Sequence, residues 1–180
     1  MTKKFQSGVT IVELIVYIGL LSIFTLVLVD VFVTILNAKL ESESTSTLNQ
    51  DARYIYSKIA YDVENADSMT LPFNPGDTGH ELRVVTDGVI DTYSLDASGN
   101  LILEVNNGME TTKMKLNGAD TTIPLLPTPG ISFTRLGPLD EKPTVKVSFT
   151  IKSLVNLQSG EQSRTIDTTF GLRPFPTPAP

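Results

Sequence analysis

The sequence predicts an α+β fold in which one long N-terminal helix, its first half suited to a membrane, packs its second half on an antiparallel β-sheet. Three observations predict it. From Val9 to Leu36 the residues are predominantly apolar, and none from Leu14 to Val29 is charged. From Leu48 to Ala66 apolar residues recur at steps of three and four, the helical period. Beyond Pro72, short runs of β-branched and aromatic residues alternate with turn signals such as Asp87-Gly88 and Asn117-Gly118.

The first apolar run is long enough, at about 1.5 Å per helical residue, to cross a hydrocarbon core of roughly 30 Å. Glu13 interrupts it near its start. A carboxylate at membrane depth is costly unless paired, so Glu13 reads as a functional residue awaiting a partner. Glu41-Ser42-Glu43-Ser44-Thr45-Ser46-Thr47 is polar all round and, taken alone, reads as a linker. The stripe Leu48, Ala52, Ile55, Ile59, Val63 and Ala66 then resumes the helix, with Asp51, Arg53, Lys58, Asp62 and Glu64 off it. One helix from Val9 to about Asp67 accounts for both halves, ended by Pro72 and Pro75-Gly76.

The strands follow in order. Glu81 to Thr86, the turn Asp87-Gly88 and Val89 to Leu95 form a hairpin signature. Leu101 to Val105 follows the turn 96–100, and Met109 to Leu116 runs up to Asn117-Gly118. Pro124, Pro127 and Pro129 mark a connection poor in ladder donors, and Ile131 to Leu136 then runs up to Gly137-Pro138. Val145, Val147, Phe149 and Ile151 alternate with polar residues, which predicts a half-buried strand. Thr165 to Leu172 continues the pattern after Ser159-Gly160, and the chain ends in a Pro-rich tail. The strands from Glu81 to Leu116 are expected to form an antiparallel meander, and the whole a single antiparallel sheet.

Composition limits the function classes. At 180 residues, less about 35 for leader and span, one small domain remains. The 14 Lys and Arg against 20 acids leave a net charge of −6 and no basic face for nucleic acid. With no Cys, disulfides, cysteine zinc sites and thiol catalysis are excluded together. Lys3 and Lys4 precede the span while Glu41 and Glu43 follow it, so the positive-inside rule puts the N-terminus in the cytoplasm and everything after about residue 37 outside.

The stretch Lys3-Lys4-Phe5-Gln6-Ser7-Gly8-Val9-Thr10-Ile11-Val12-Glu13-Leu14 resembles the processing signal of type IV pilins and pseudopilins. That signal is a short basic leader ending in Gly, followed by an apolar helix with Glu at its fifth residue. The resemblance implies that prepilin peptidase cuts between Gly8 and Val9, that the Val9 amine is methylated, and that Glu13 pairs with a neighbouring subunit's N-terminal amine during assembly. Most members have Phe where this chain has Val9, and many major pilins carry a Pro in the apolar helix, whereas this chain has none before Pro72 and its helix is expected to be unkinked. Weaker echoes of J-type minor pseudopilins of type II secretion run through 53–66, Tyr93-Ser94-Leu95 with Gly99-Asn100-Leu101, Gly130-Ile131-Ser132-Phe133, and Phe170-Gly171-Leu172-Arg173.

The implied fold is therefore pilin-like. Its expected parts are a leader at 1–8, a transmembrane and filament-core helix at 9–36, an amphipathic continuation at 37–70, an extracytoplasmic β-rich domain at 71–173 and the tail at 174–180. The implied function is a minor pseudopilin or minor type IV pilin, a structural subunit rather than an enzyme. Its implied partners are prepilin peptidase, other pilins or pseudopilins, an inner-membrane assembly platform and the lipid bilayer, and its location is the cytoplasmic membrane and then a filament. A DNA-uptake minor pilin and a membrane-anchored envelope domain that never polymerises are the alternatives. An ordinary anchor or removable signal accounts less well for the segment, because the run exceeds a signal's h-region and Leu36-Asn37-Ala38 is a poor cleavage site.

No catalytic, cofactor or metal site is expected. His80 is the only histidine and reads as a loop residue. No G-x-S-x-G pattern occurs, and spacing singles out no carboxylate pair. Asp96-Ala97-Ser98-Gly99-Asn100 looks in part like a calcium loop, but Asn107 stands where an EF-hand needs its bidentate Glu, so the stretch reads as a turn. Asp30 is expected either to reach the headgroups or to face a neighbour's Lys39, and Gly19 and Ser22 permit close helix approach.

Overall fold

The computed structural model describes residues 8, 10–125, 130–137 and 143–172. Lys3, Lys4, Val9 and the tail 174–180 lie outside the described residues. Helix α1 (Ile11–Asn65) is continuous over 55 residues, through the polar stretch 41–47 that alone reads as a linker. Among the described residues ten strands follow: β1 (Ser68–Leu71), β2 (Thr78–Gly79), β3 (Leu82–Thr86), β4 (Val89–Leu95), β5 (Leu101–Asn106), β6 (Thr111–Lys115), β7 (Thr121–Thr122), β8 (Ile131–Leu136), β9 (Thr144–Ser153) and β10 (Ser163–Gly171). The α+β class with a long N-terminal helix is thus observed. The chain divides into two compact units, Met1–Glu41 and Ser42–Pro180.

The helix ends before residue 70, the expected end of its amphipathic part. Asn65 Nδ2 donates to the Tyr61 carbonyl at 2.7 Å, and the Asp67 N–H donates to the Val85 carbonyl at 2.8 Å. The backbone donors have passed to a sheet, so Ser68–Leu71 pairs antiparallel with β3 as a strand.

The strands form two antiparallel sheets rather than the one expected, and β3, β4, β5 and β6 lie side by side in chain order as the meander expected of 81–116. The first has the order β1-β3-β4-β5-β6, and the second the order β10-β9-β8-β2 with β7 also paired to β9. Every residue of β6 is exposed, which suits an edge and ends the first sheet there. The ten-residue β9 alternates regularly in burial from Val147 onward, and β10 and β8 pair along its two sides. In the β3–β4 hairpin, Asp87 and Gly88 take φ of 50° and 79°, the positive values a two-residue turn needs, and Thr86 pairs with Val89.

One apolar core joins helix and sheets in the second unit. Leu48, Ala52, Ile55, Ile59, Val63 and Ala66 are all buried, as their spacing predicts. They cluster with Leu82, Val84, Leu101 and Leu103 from the first sheet and Ile131, Phe133, Val147 and Phe149 from the second. Burial of this apolar surface is the main favourable term holding the unit together. Polar ties add register. Asp51 Oδ2 accepts the Gly118 N–H at 2.7 Å and the Thr121 hydroxyl at 2.5 Å, Ser44 donates to Ser153 at 2.8 Å, and the buried Arg135 donates to the Met69 carbonyl at 3.2 Å.

The turn at 96–100 depends on Gly99, whose φ is +76° and whose carbonyl accepts the Ile123 N–H at 2.8 Å. A Cβ there would lie 2.6 Å from the Ile123 carbonyl oxygen and would also strike Thr122 Oγ1. Gly99→Ala is therefore expected to lower the unfolding free energy by about 2–3 kcal/mol, measured by denaturant titration of the detergent-solubilised chain.

Candidate functional site

The residues with functional promise lie at the start of α1. Thr10 precedes the first helical turn, its hydroxyl oxygen accepts the Glu13 N–H at 3.2 Å, and its carbonyl accepts the Leu14 N–H at 3.1 Å. Thr10 is thus the N-cap, satisfying one of the donors a helix start leaves open. Thr10-Ile11-Val12-Glu13 fits the S/T-x-x-E capping pattern, a signal in the sequence that hydropathy alone passes over.

The Glu13 carboxylate turns to the following helical turn, where the Tyr17 hydroxyl donates to Oε1 at 3.0 Å. Spacing of four puts the two side chains on one face. Gly8 is exposed, with nothing within 4 Å of a Cβ built on it, so this position is open around its backbone. The structure therefore brings together Thr10, Glu13 and Tyr17, of which only Glu13 was predicted. Its predicted companions Lys3, Lys4 and Val9 fall outside the described residues.

The segment carrying these residues is long and apolar enough to cross a membrane. Every large apolar side chain from Ile11 to Leu36 is exposed. The hydroxyls of Ser22, Thr25 and Thr34 each donate to the carbonyl four residues earlier, at 2.8–2.9 Å, which satisfies them within the helix. Asp30 and Lys39 are nine positions apart, about 13 Å along the axis, so a contact between them has to be made between chains.

A second polar group sits in the Ser42–Pro180 unit. Asp62, placed off the stripe by its spacing, is buried, and this corrects that expectation. The Tyr93 hydroxyl donates to its Oδ2 and Lys58 pairs with its Oδ1 at 2.7 Å. Burial, reinforced by the Asp62 charge, pushes the Tyr93 hydroxyl far above its ordinary value and keeps it a donor. Asp91, two residues before Tyr93 on β4, is raised by burial and then by Asp62, with Lys58 acting in the opposite direction. A cleft of about 360 Å³ opens beside them, lined also by Tyr61, Asn65 and Asp87.

The remaining candidates are occupied locally. The His80 ring is exposed, and its Nδ1 donates to the Ile131 carbonyl at 2.7 Å, since a carbonyl only accepts. Asp96 accepts from the Asn100 side chain and from the N–H groups of Asn100 and Ser98 at 2.8–2.9 Å, which holds its carboxyl below the ordinary value. That is an Asx-type turn whose carboxylate faces its own backbone. Among the described residues, no three His, Asp or Glu side chains converge so as to hold a metal ion. Compared with protein-family models, with curated proteins and with solved structures, the chain shows no significant match.

Asp62→Ala strips the buried Tyr93 hydroxyl of its acceptor and is expected to cost about 2–4 kcal/mol of unfolding free energy, while Asp62→Asn, which keeps an acceptor, costs less. Asp91 supplies a pH test. A carboxyl raised on folding binds its proton more tightly in the folded state, so its contribution is present at low pH and lost as pH rises through the folded value. Asp91→Asn is therefore expected to be more stable than the parent at neutral pH, by less than about 1 kcal/mol because the group is partly solvated. That advantage should vanish on acidification, as read by unfolding midpoints across a pH series.

Proposed function

We propose that the chain is a minor subunit of a type IV pilus-like or secretion filament, of the pilin and pseudopilin kind. The observation that carries the reading is an ionisable carboxylate, Glu13, one turn into a helix whose apolar side chains are exposed from Ile11 to Leu36, five positions beyond Gly8. A carboxylate in such a segment requires a partner, and an exposed apolar helix requires either lipid or other helices. A filament core of packed helices meets both needs. The α+β build, with a long N-terminal helix ahead of a β-rich unit, is consistent with a pilin-like subunit.

The mechanism is structural. The precursor sits in the cytoplasmic membrane as a single span, N-terminus inside and β-rich unit outside. Prepilin peptidase removes residues 1–8, and the Val9 amine becomes free for methylation and for pairing with a neighbour's Glu13. The assembly platform then draws the helix from the bilayer into the filament. Packing of apolar side chains between helices supplies the cohesion, and the ion pair fixes register, a role a buried charge fills even where its net stabilisation is small.

Gly8→Val is expected to leave a full-length precursor in membranes, whereas Glu13→Ala is expected to be cut normally but to lose about tenfold or more of its assembled fraction. Intact-mass spectrometry of the membrane-extracted protein reads the first result, and sheared-filament fractionation reads the second. A wild-type chain that retains residues 1–8, or normal assembly of both variants, removes the basis for the proposal.

A further inference from the structure

We propose that Tyr17 is a positioning residue for Glu13, holding the carboxylate toward the following turn of its own helix until another subunit's nitrogen reaches it. The hydroxyl's role rests on the membrane-span reading, and the incoming nitrogen rests on the subunit reading given under the proposed function.

A glutamate three residues after a threonine N-cap has a partner available behind it. In a complete capping box its carboxylate folds back to the cap's own N–H while the cap hydroxyl takes the glutamate's N–H. Here the second of those bonds is made, from the Glu13 N–H to Thr10 at 3.2 Å, but the Glu13 carboxylate is bonded to Tyr17 instead. The carboxylate is thereby held by a side chain four residues further on rather than by the Thr10 N–H.

The hydroxyls of the segment divide in a way that singles out Tyr17. Ser22, Thr25 and Thr34 are short and donate to their own helix carbonyls. Helical side chains lean toward the N-terminus, so the Tyr17 ring reaches back over the turn that carries Glu13. Its apolar ring suits the lipid layer, and its hydroxyl delivers a donor to a charge that has few other donors there. Hydrogen bonds to an ionised group are the strong ones, and a water-poor surrounding strengthens them further. One donor fills only part of a carboxylate's capacity, since its two oxygens offer about four acceptor sites. Among the described residues the Tyr17 bond occupies Oε1, and Oε2 is the oxygen that would receive an ammonium, so the hydroxyl stabilises the charge without closing the site.

The test uses the full chain in phosphatidylcholine vesicles, with dicyclohexylcarbodiimide as the probe and peptide mass spectrometry to read modification of Glu13. Tyr17→Phe keeps the ring and removes the donor, and labelling of Glu13 is expected to accelerate about threefold to tenfold, in line with the loss of one charge-assisted hydrogen bond. Thr25→Val, which removes a hydroxyl bonded to its own helix, should label at the parental rate. Equal rates for Tyr17→Phe and the parent overturn the proposal.

In cells, Tyr17→Phe is expected to be cut like the parent and to assemble less, with Tyr17→Phe/Glu13→Gln no worse than Glu13→Gln alone, because the two residues act through one contact. Additive losses overturn the positioning role. A parental chain that keeps residues 1–8 overturns the subunit reading and the handover to a neighbour, and the vesicle rates report separately on the Tyr17 bond.

Discussion

The burial of one helical stripe is the interaction on which the β-rich unit depends. Leu48, Ala52, Ile55, Ile59 and Val63 present a single apolar face, and both sheets contribute side chains to the core that covers it. Without that face the exposed edge strand β6 and the short β2 and β7 have little to hold them, since isolated hairpins are marginal in water. The polar ties from Asp51, Asp62 and Ser44 decide where along the helix each strand and loop attaches, while the stripe supplies the drive.

The same helix serves two environments, and its composition changes where they change. Up to Leu36 its outward side chains are large and apolar, and from Leu48 onward the apolar ones turn to a protein core. Between them, 41–47 contains five Ser or Thr beside two Glu, and Ser and Thr extend a helix less readily than Leu or Ala. The helix runs through unbroken, as flanking turns on both sides already hold the backbone and propagation is easier than nucleation.

Charge placement distinguishes the two units. Asp62 is buried beside a tyrosine and a lysine, so its charge is answered within the fold. Among the described residues Glu13 is answered by the Tyr17 hydroxyl, on a segment whose side chains are exposed, and a carboxylate has acceptor capacity beyond one donor. An acid bonded to other elements of its own fold acts as a tie between them, whereas one with acceptor sites left over has room for further donors.

Local repetition and local chemistry were readable from the residue order. The membrane-suited run, the stripe from Leu48 to Ala66, the Asp87-Gly88 hairpin and the alternation along β9 each follow from the spacing of neighbours within a few residues, because helix and strand periods and turn angles are set by the chain's own geometry. Glu13 stood out for the same reason, as a charge against an apolar background. The cap at Thr10 was also present in the spelling, though overshadowed by hydropathy. Whether the strands made one sheet or two, whether Ser68–Leu71 extended the helix or paired with β3, whether Asp62 faced water or Tyr93, and which group met the Glu13 carboxylate were decided by three-dimensional packing. Those outcomes depend on competition between partners, most of them distant in sequence, for the same backbone donors and the same buried volume, and the order of residues alone does not say which partner wins.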